Sequence, residues 1–275
     1  MNEQNLSEDS VDPPGSPSGV RALFLDALRF MEAGFRRLET QVPPPKWKPV
    51  KSGYHVRYEE RTPEQALIQK LARQVSGLYA LDLLLVDGLA QEQGVIQRVL
   101  DEIGEDIMFL ALALINGDWT DQHTAYLEDF WAEEFDHPDP IKATQKRKTV
   151  RRAKIHSHNA RAGGGGLDPE LAANLSTTIH KTYSGFVHAA SSHVMDMCGG
   201  DPPRFIFKIS PTNRRMIVQI DDASNYFYRG IMLLGIVATV FKDQGLWDAA
   251  YAYRASFEKS SGKSYAPTPA GTSGR

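Results

Sequence analysis

Imidazole, hydroxyl and thiol side chains crowd one stretch of this chain. Thr177 to Gly200, TTIHKTYSGFVHAASSHVMDMCGG, holds three of the eight histidines and the single cysteine. Such groups can move protons near neutral pH, donate hydrogen bonds or act as nucleophiles. Read as one helix, the stretch puts Ile179, Tyr183, Phe186, Val187, Ala190, Val194 and Met197 in one apolar sector. His180, Ser184 and His188 then follow at i, i+4 and i+8 along the border of that sector. Ser191 sits beside them and His193 falls on the opposite margin. His180, Tyr183, Ser184 and His188 are therefore the expected ligand-binding residues; in the alternative reading the imidazoles bond to neighbouring helices. A shared metal does not fit, because His180 and His188 stand roughly 12 Å apart at about 1.5 Å of rise per residue. No metal or cofactor is expected. Cys198 lies at the C-terminal end of the helix, where the dipole disfavours a thiolate, so it reads as structural.

Charge is segregated just upstream. From Asp82 to Asp139 the only Lys or Arg is Arg98, whereas Ile141 to Arg161 contains bases and no acid. The 142–161 segment can contact RNA phosphates, pair with the preceding acidic helices within the chain or between subunits, or form a solvated face. No aromatic residues interleave with its bases to stack on nucleotides. Within the segment, Arg151 and His156 are spaced Arg-x4-His, and Arg152 and His158 Arg-x5-His. This spacing resembles the motif of the helical HEPN ribonucleases. The resemblance implies a metal-independent ribonuclease in which Arg151 or Arg152 stabilises charge at a phosphodiester and His156 serves as acid or base.

The carboxylates Asp101, Glu102, Glu105 and Asp106 cluster on one predicted helix, and Glu134 and His137 have the Glu-x-x-His spacing of di-iron bundles. Such bundles need two of these motifs and two further glutamates; this chain has one, followed at once by Pro138.

Helices must position all of these groups. Residues 1–17, rich in Ser, Pro and acids, are expected to be a disordered tail, as are residues 260–275. Between them, 18–259 reads as one helical domain with a Pro-rich connector at 42–61 and a Gly-rich joint at 162–167. Leu23, Phe24, Ala27, Leu28, Met31, Phe35 and Leu38 form a stripe that ends at Pro43-Pro44-Pro45. Thr62-Pro63-Glu64-Gln65 is a helix start, with a capping hydroxyl, proline at the first position and glutamine at the third. Leu67, Leu71, Val75, Leu78 and Leu81 or Asp82 mark that helix; Val95, Val99, Ile103, Ile107, Leu110 and Leu114 mark the next. Further helices are expected at 120–135, from Asp139-Pro140, from Asp168-Pro169, at 213–244 and at 246–259, and Arg204 to Ile209 is the only candidate strand. The class is all-α: a single bundle of about seven helices with at most one short strand.

Composition places the chain among ordinary globular proteins, with 41% hydrophobic and 24% charged residues and a net charge of −3. One cysteine allows no disulfide framework, the N-terminal residues have no signal-peptide pattern, and the expected location is cytoplasmic. The apolar run Gly230 to Phe241 is about half of the roughly 20 residues a membrane span requires, so it reads as a buried helix and no membrane is expected.

Arg73 in KLARQVSGLYALDLLL, Tyr183, Ser184 and His188 in TYSGFVHAA, and Tyr228-Arg229-Gly230 together form a second resemblance. The pattern resembles a family of uncharacterised bacterial helical proteins, some of which lie near phage-defence genes. It implies an all-α fold and no particular reaction. The expected function is a helical binding or interaction protein, with self-association; the alternative is the HEPN-like ribonuclease of a toxin or phage-defence system.

Overall fold

The computed structural model describes residues 17–50, 53–132, 137, 139–144, 149–163, 168–210 and 213–265. Residues 1–16 of the expected 1–17 tail, the end of the second tail at 266–275, the bases Lys146, Arg147 and Lys148, Glu134, and Gly164–Gly166 of the joint lie outside the described residues, while Pro17 belongs to the first helix and not to the tail. The chain is all-α. Its helices are α1 (Pro17–Glu39), α2 (Pro63–Val86), α3 (Ala90–Asn116), α4 (Asp121–Trp131), α5 (Arg152–Ala162), α6 (Pro169–Val187), α7 (Ser191–Met195), α8 (Arg214–Val240) and α9 (Gln244–Ser261). A single 3-10 turn, Pro140–Lys142, stands where a full helix was expected after Asp139. No described helix is long and apolar enough to cross a membrane.

α3 is the central rod, packed against α2, α4, α5, α6 and α8, while α8 also packs on α1, α2 and α9. The α1 stripe is buried from Phe24 to Leu38, with Leu23 half-buried at its start, and Phe24 stacks on Phe227 of α8 with ring centroids 4.2 Å apart. The α2 start has its expected cap: the Gln65 amide donates to Thr62 Oγ1 at 3.2 Å and the Thr62 amide to Gln65 Oε1 at 3.1 Å. At the α1–α2–α8 crossing Gly230 lets the helices approach closely: a Cβ there would lie 2.7 Å from Leu78 Cδ1 and 2.9 Å from Met31 Sδ, so those side chains would have to shift. The Gly230–Phe241 run is the core of α8, with Ile231, Leu234, Val237 and Ala238 fully buried.

Four regions differ from the sequence expectation. The 42–61 connector contains two strands, β1 (Lys46–Val50) and β2 (Gly53–Arg57), paired antiparallel with Trp47 opposite Val56 and Lys48 opposite His55. A second ribbon pairs β3 (Cys198–Gly199) with β4 (Arg204–Phe205), so the single expected strand has a partner. The 260–275 tail begins later than expected: α9 runs to Ser261, and Tyr265 stacks on Tyr228 with centroids 4.4 Å apart.

The fourth difference concerns the histidine segment. It is not one helix to Gly200: α6 begins at Pro169 and ends at Val187, His188 caps it, and Ala189 takes φ +48 in the left-handed region. α7 then folds back so that the His193 ring meets Phe186 edge-on at 4.5 Å and accepts space left by Gly185, where a Cβ would collide with it. The apolar sector drawn for a continuous helix is consequently not the core face. Ile179 and Val187 are exposed, and α6 turns Thr177, His180, Tyr183 and Phe186 inward, each half-buried.

α4 and α5 are fixed to the far end of α3 by an aromatic cluster. Phe109 stacks on His123 at 4.1 Å and meets His158 edge-on at 5.1 Å, and the two imidazoles are 4.7 Å apart. His123 Nδ1 accepts the Thr120 amide at 3.0 Å, which leaves the proton on Nε2, a buried atom with no hydrogen-bond partner among the described residues. Burial, then the neighbouring His158, lowers the His123 pKa to about 4. Its folded value lies below the unfolded value of about 6.5. The unfolded chain therefore takes up this proton first, and stability falls as pH drops from about 6.5 towards 4, by about 3 kcal/mol over the window. His123→Gln keeps an acceptor for the Thr120 amide and removes the titration. Urea unfolding at a series of pH values is expected to show a flatter acid limb for this variant than for the native chain. An unchanged slope contradicts the assignment.

Candidate functional site

The four clustered carboxylates line one side of α3, and bases from four other helices converge on them. Asp101, Glu102, Glu105 and Asp106 occupy consecutive turns, so they present an acidic row along the rod. α5 carries Arg152, His156 and Asn159 on one face at i, i+4 and i+7, all directed at this row. α2 contributes Lys70, α6 contributes Thr177 and His180, and α8 contributes Tyr226 and Arg229.

Asp106 is deeply enclosed, with its side chain 6% exposed. It accepts from Arg152 Nη1 at 2.5 Å and from Lys70 Nζ at 2.7 Å. Burial alone would raise its pKa; the Lys70 and Arg152 charges overcome burial and hold the carboxyl below its ordinary value. Arg152 Nη1 also lies 3.7 Å from Glu105 Oε2 and donates to the Glu102 carbonyl at 3.3 Å, and Arg152 Nε lies 3.9 Å from Glu102 Oε1. One guanidinium thus neutralises parts of three carboxylates.

His156 is buried between two acceptors. Thr177 Oγ1 spends its proton on the Ala173 carbonyl at 2.9 Å, so it faces His156 Nδ1, 3.2 Å away, as an acceptor. On the other side His156 Nε2 stands 2.9 Å from Glu105 Oε2. His180 is 6.0 Å from His156, centroid to centroid, and plays the opposite part. Its Nε2 accepts from the Arg98 guanidinium, which has only donors, and Arg98 also donates to Glu102 Oε1 at 2.6 Å. Burial, then the Arg98 charge, lowers the His180 pKa.

The row ends at Asp101, which accepts from Arg229 Nη1 at 2.6 Å and from the Tyr226 hydroxyl at 2.9 Å. Here burial outweighs both partners and the Asp101 pKa is raised. Tyr183 meets Tyr226 edge-on at 6.2 Å, and burial pushes its phenol up to about 12.

The expected site residues are therefore divided among different settings. Arg152, His156 and His180 come together on the acidic row, and Tyr183 reaches its end through Tyr226. Arg151 is the exposed residue before α5, Ser184 is half-buried on α6, and His188 is exposed beyond the last turn. The acidic stretch pairs with the basic one inside the chain, through Arg152. Lys70 and Arg98 are partners that spacing did not single out. The available signal was the isolation of Arg98 among acids and the position of Lys70 at the margin of the apolar stripe of α2.

A second site lies where the sequence suggests only a connector. The β1–β2 hairpin, α1, α2 and the end of α4 enclose a hollow of about 520 Å³. Phe35, Tyr58, Phe130 and Trp131 supply aromatic walls, and Glu39, Arg57 and Arg61 supply charge. The Trp131 indole Nε1 is buried and has no hydrogen-bond partner among the described residues. Arg61 adopts φ +56, a left-handed conformation that costs an L-residue about 1 kcal/mol or more. The alternation of Trp47, Pro49, Tyr54, Val56 and Tyr58 with basic residues around Gly53 is the sequence signal for this hairpin, and the triple proline before it obscures the signal.

Removing the Asp106 charge takes away the carboxylate that Lys70 pairs with and the nearest of the three around Arg152. Asp106→Asn is expected to lose about 3 kcal/mol in urea unfolding, and Arg152→Ala less, because Arg152 is 30% exposed and Lys70 still pairs with Asp106. An Asp106→Asn variant as stable as the native chain removes the row from its bracing role.

Comparisons with protein-family models, with curated proteins and with solved structures find no match to this chain, so its family is not shown and the geometry above is the basis for its function.

Proposed function

We propose that this chain is a helical binding protein whose receptor site is the hollow beneath the β1–β2 hairpin. The observation that carries this reading is the hollow itself, whose size lies within the range of small-molecule sites, roughly 300–1,000 Å³. Four aromatic side chains, Phe35, Tyr58, Phe130 and Trp131, line it together with Glu39, Arg57 and Arg61, a mixture of apolar surface and charge that such sites use for affinity and orientation. The acidic row of α3 serves a different purpose in this reading. Its bases are matched to carboxylates, and the His156 side chain is only 4% exposed, so the row stiffens the rod that supports the binding end.

A fluorescent aromatic anion, 8-anilinonaphthalene-1-sulfonate, is a direct probe. Ala72 lines the hollow, and Ala72→Phe fills part of it. Saturable fluorescence enhancement is expected with the native chain and about tenfold weaker binding with the filled variant, at unchanged circular dichroism. Equal binding by the two proteins, or none by the native chain, overturns the assignment.

One observation favours the ribonuclease as a second reading: Arg152 and His156, one residue from each of the two HEPN-like Arg–His pairs, both reach Glu105. In this reading an RNA phosphate displaces Glu105 from Arg152, and His156 exchanges a proton with the scissile group. Incubation with total RNA in the presence of EDTA, beside an Arg151→Ala/Arg152→Ala/His156→Ala variant, tests it. Cleavage by the native chain alone supports the enzyme; no cleavage, or equal cleavage by both, removes it.

A further inference from the structure

The segment from α6 to β4 rests on α3 without entering the core. None of residues 168–210 is buried, whereas α1, α2, α3 and α8 each bury several side chains. Phe186 packs on Gly94 of α3, where a Cβ would collide with its ring, and Tyr183 meets Tyr226 of α8 edge-on. Polar ties hold the far end. The Ile209 amide donates to the Gly88 carbonyl at 2.8 Å, Gln91 Nε2 to the His193 carbonyl at 2.7 Å, and Lys208 Nζ to Asp87 at 3.0 Å. A segment with so little buried apolar contact opens at a fraction of the free energy of global unfolding.

His180 joins this segment to the charged row. Its Nε2 accepts from the Arg98 guanidinium, and Glu102 Oε1 stands 3.5 Å away. Glu105 of α3 also faces it, and from α5 so does His156, while Arg152 stands beyond Glu102. α8 meets α6 through Tyr226 at Tyr183, and α7 through His193, whose Nε2 donates to the Thr182 carbonyl at 2.9 Å. Protonated His180 has no lone pair left for Arg98, so two donors of like charge would face each other. The carboxylates offset little of this, because Glu102 is held by Arg98 at 2.6 Å and Glu105 by His156 at 2.9 Å. We propose that residues 168–210 form a flap latched onto α3 by His180, and that protonation of His180 releases it. Release uncovers His156, whose buried ring lies against Thr177, and the Glu105 carboxylate beside it. Burial, then the Arg98 charge, holds the His180 pKa below its ordinary value in the closed flap. In the open flap it returns to about 6.5, so the latch is fully set above that pH and weakens below it, by at most about tenfold per pH unit. The device is independent of the hollow and of any ligand there.

Hydrogen–deuterium exchange of the full chain at about pH 7.5 and about pH 5.5, corrected for intrinsic rates, tests the latch. Amides of α6 are expected to lose several-fold more protection on acidification than those of α1 and α8, which report global unfolding. His180→Gln keeps an acceptor for Arg98 and cannot titrate, so the extra loss is expected to vanish. Arg98→Gln removes the opposing charge and is expected to make the dependence shallower than in the native chain. No extra loss in native α6, an α6 unprotected at both pH values, or an extra loss that persists in His180→Gln overturns the latch. An Arg98→Gln dependence as steep as the native one overturns it too, whether or not His180→Gln stays latched.

Discussion

Asp106 is the group on which most of this architecture rests. A carboxylate this enclosed is unfavourable unless cations reach it, and two do, from opposite sides: Lys70 from α2 and Arg152 from α5. The contact thereby fastens an early helix pair to a helix that arrives after the acidic stretch has ended. Arg152 then draws in Glu102 and Glu105, Glu105 sets His156, and Glu102 sets Arg98 and His180. Lys70, Arg98, Arg152 and Arg229 stand against Asp101, Glu102, Glu105 and Asp106, so four positive charges balance four negative ones. This balance makes it possible for the polar side of α3 to be as buried as its apolar side.

The same lysine links the charged row to the hollow. Lys70 Nζ sits 4.8 Å from the ring centre of Phe130 and 5.4 Å from that of Tyr126, both on α4. Phe130 in turn meets Trp131 edge-on at 4.9 Å, and both rings line the hollow. The position of Lys70 is dictated by Asp106, so the placement of the aromatic wall follows from the ionic row.

What could be read from the sequence was what depends on near neighbours. The α1 stripe and the Thr62 cap require only side chains within one or two turns, and the structure reproduces both. The acidic cluster and the base-rich segment were visible as composition, and their pairing was one of the readings that composition allows. Which base meets which acid was not visible, because Lys70 and Asp106 are 36 residues apart and Arg152 and Asp106 are 46 apart. The end of α6 was hidden for a related reason. Ala189 is an ordinary helix former, and it takes a left-handed conformation where His193 folds back onto Phe186 beside the missing Cβ of Gly185. That choice is tertiary, and no local propensity encodes it.

The hairpin shows the limit from the other direction. Its aromatic and basic residues alternate, but Trp47 and Tyr54 remain exposed, so they have no buried face that would mark a strand by hydrophobic patterning. What holds the segment is Tyr58, buried at its end, and the salt link of Lys46 to Glu59 at 2.5 Å, which ties the first strand to the residues just after the second. A ribbon fixed mainly at its base can rest over a cavity without filling it. The hollow exists because Trp47 and Tyr54, which could have packed into a core here, face outward, and its lining is left as a mixture of aromatic and charged side chains.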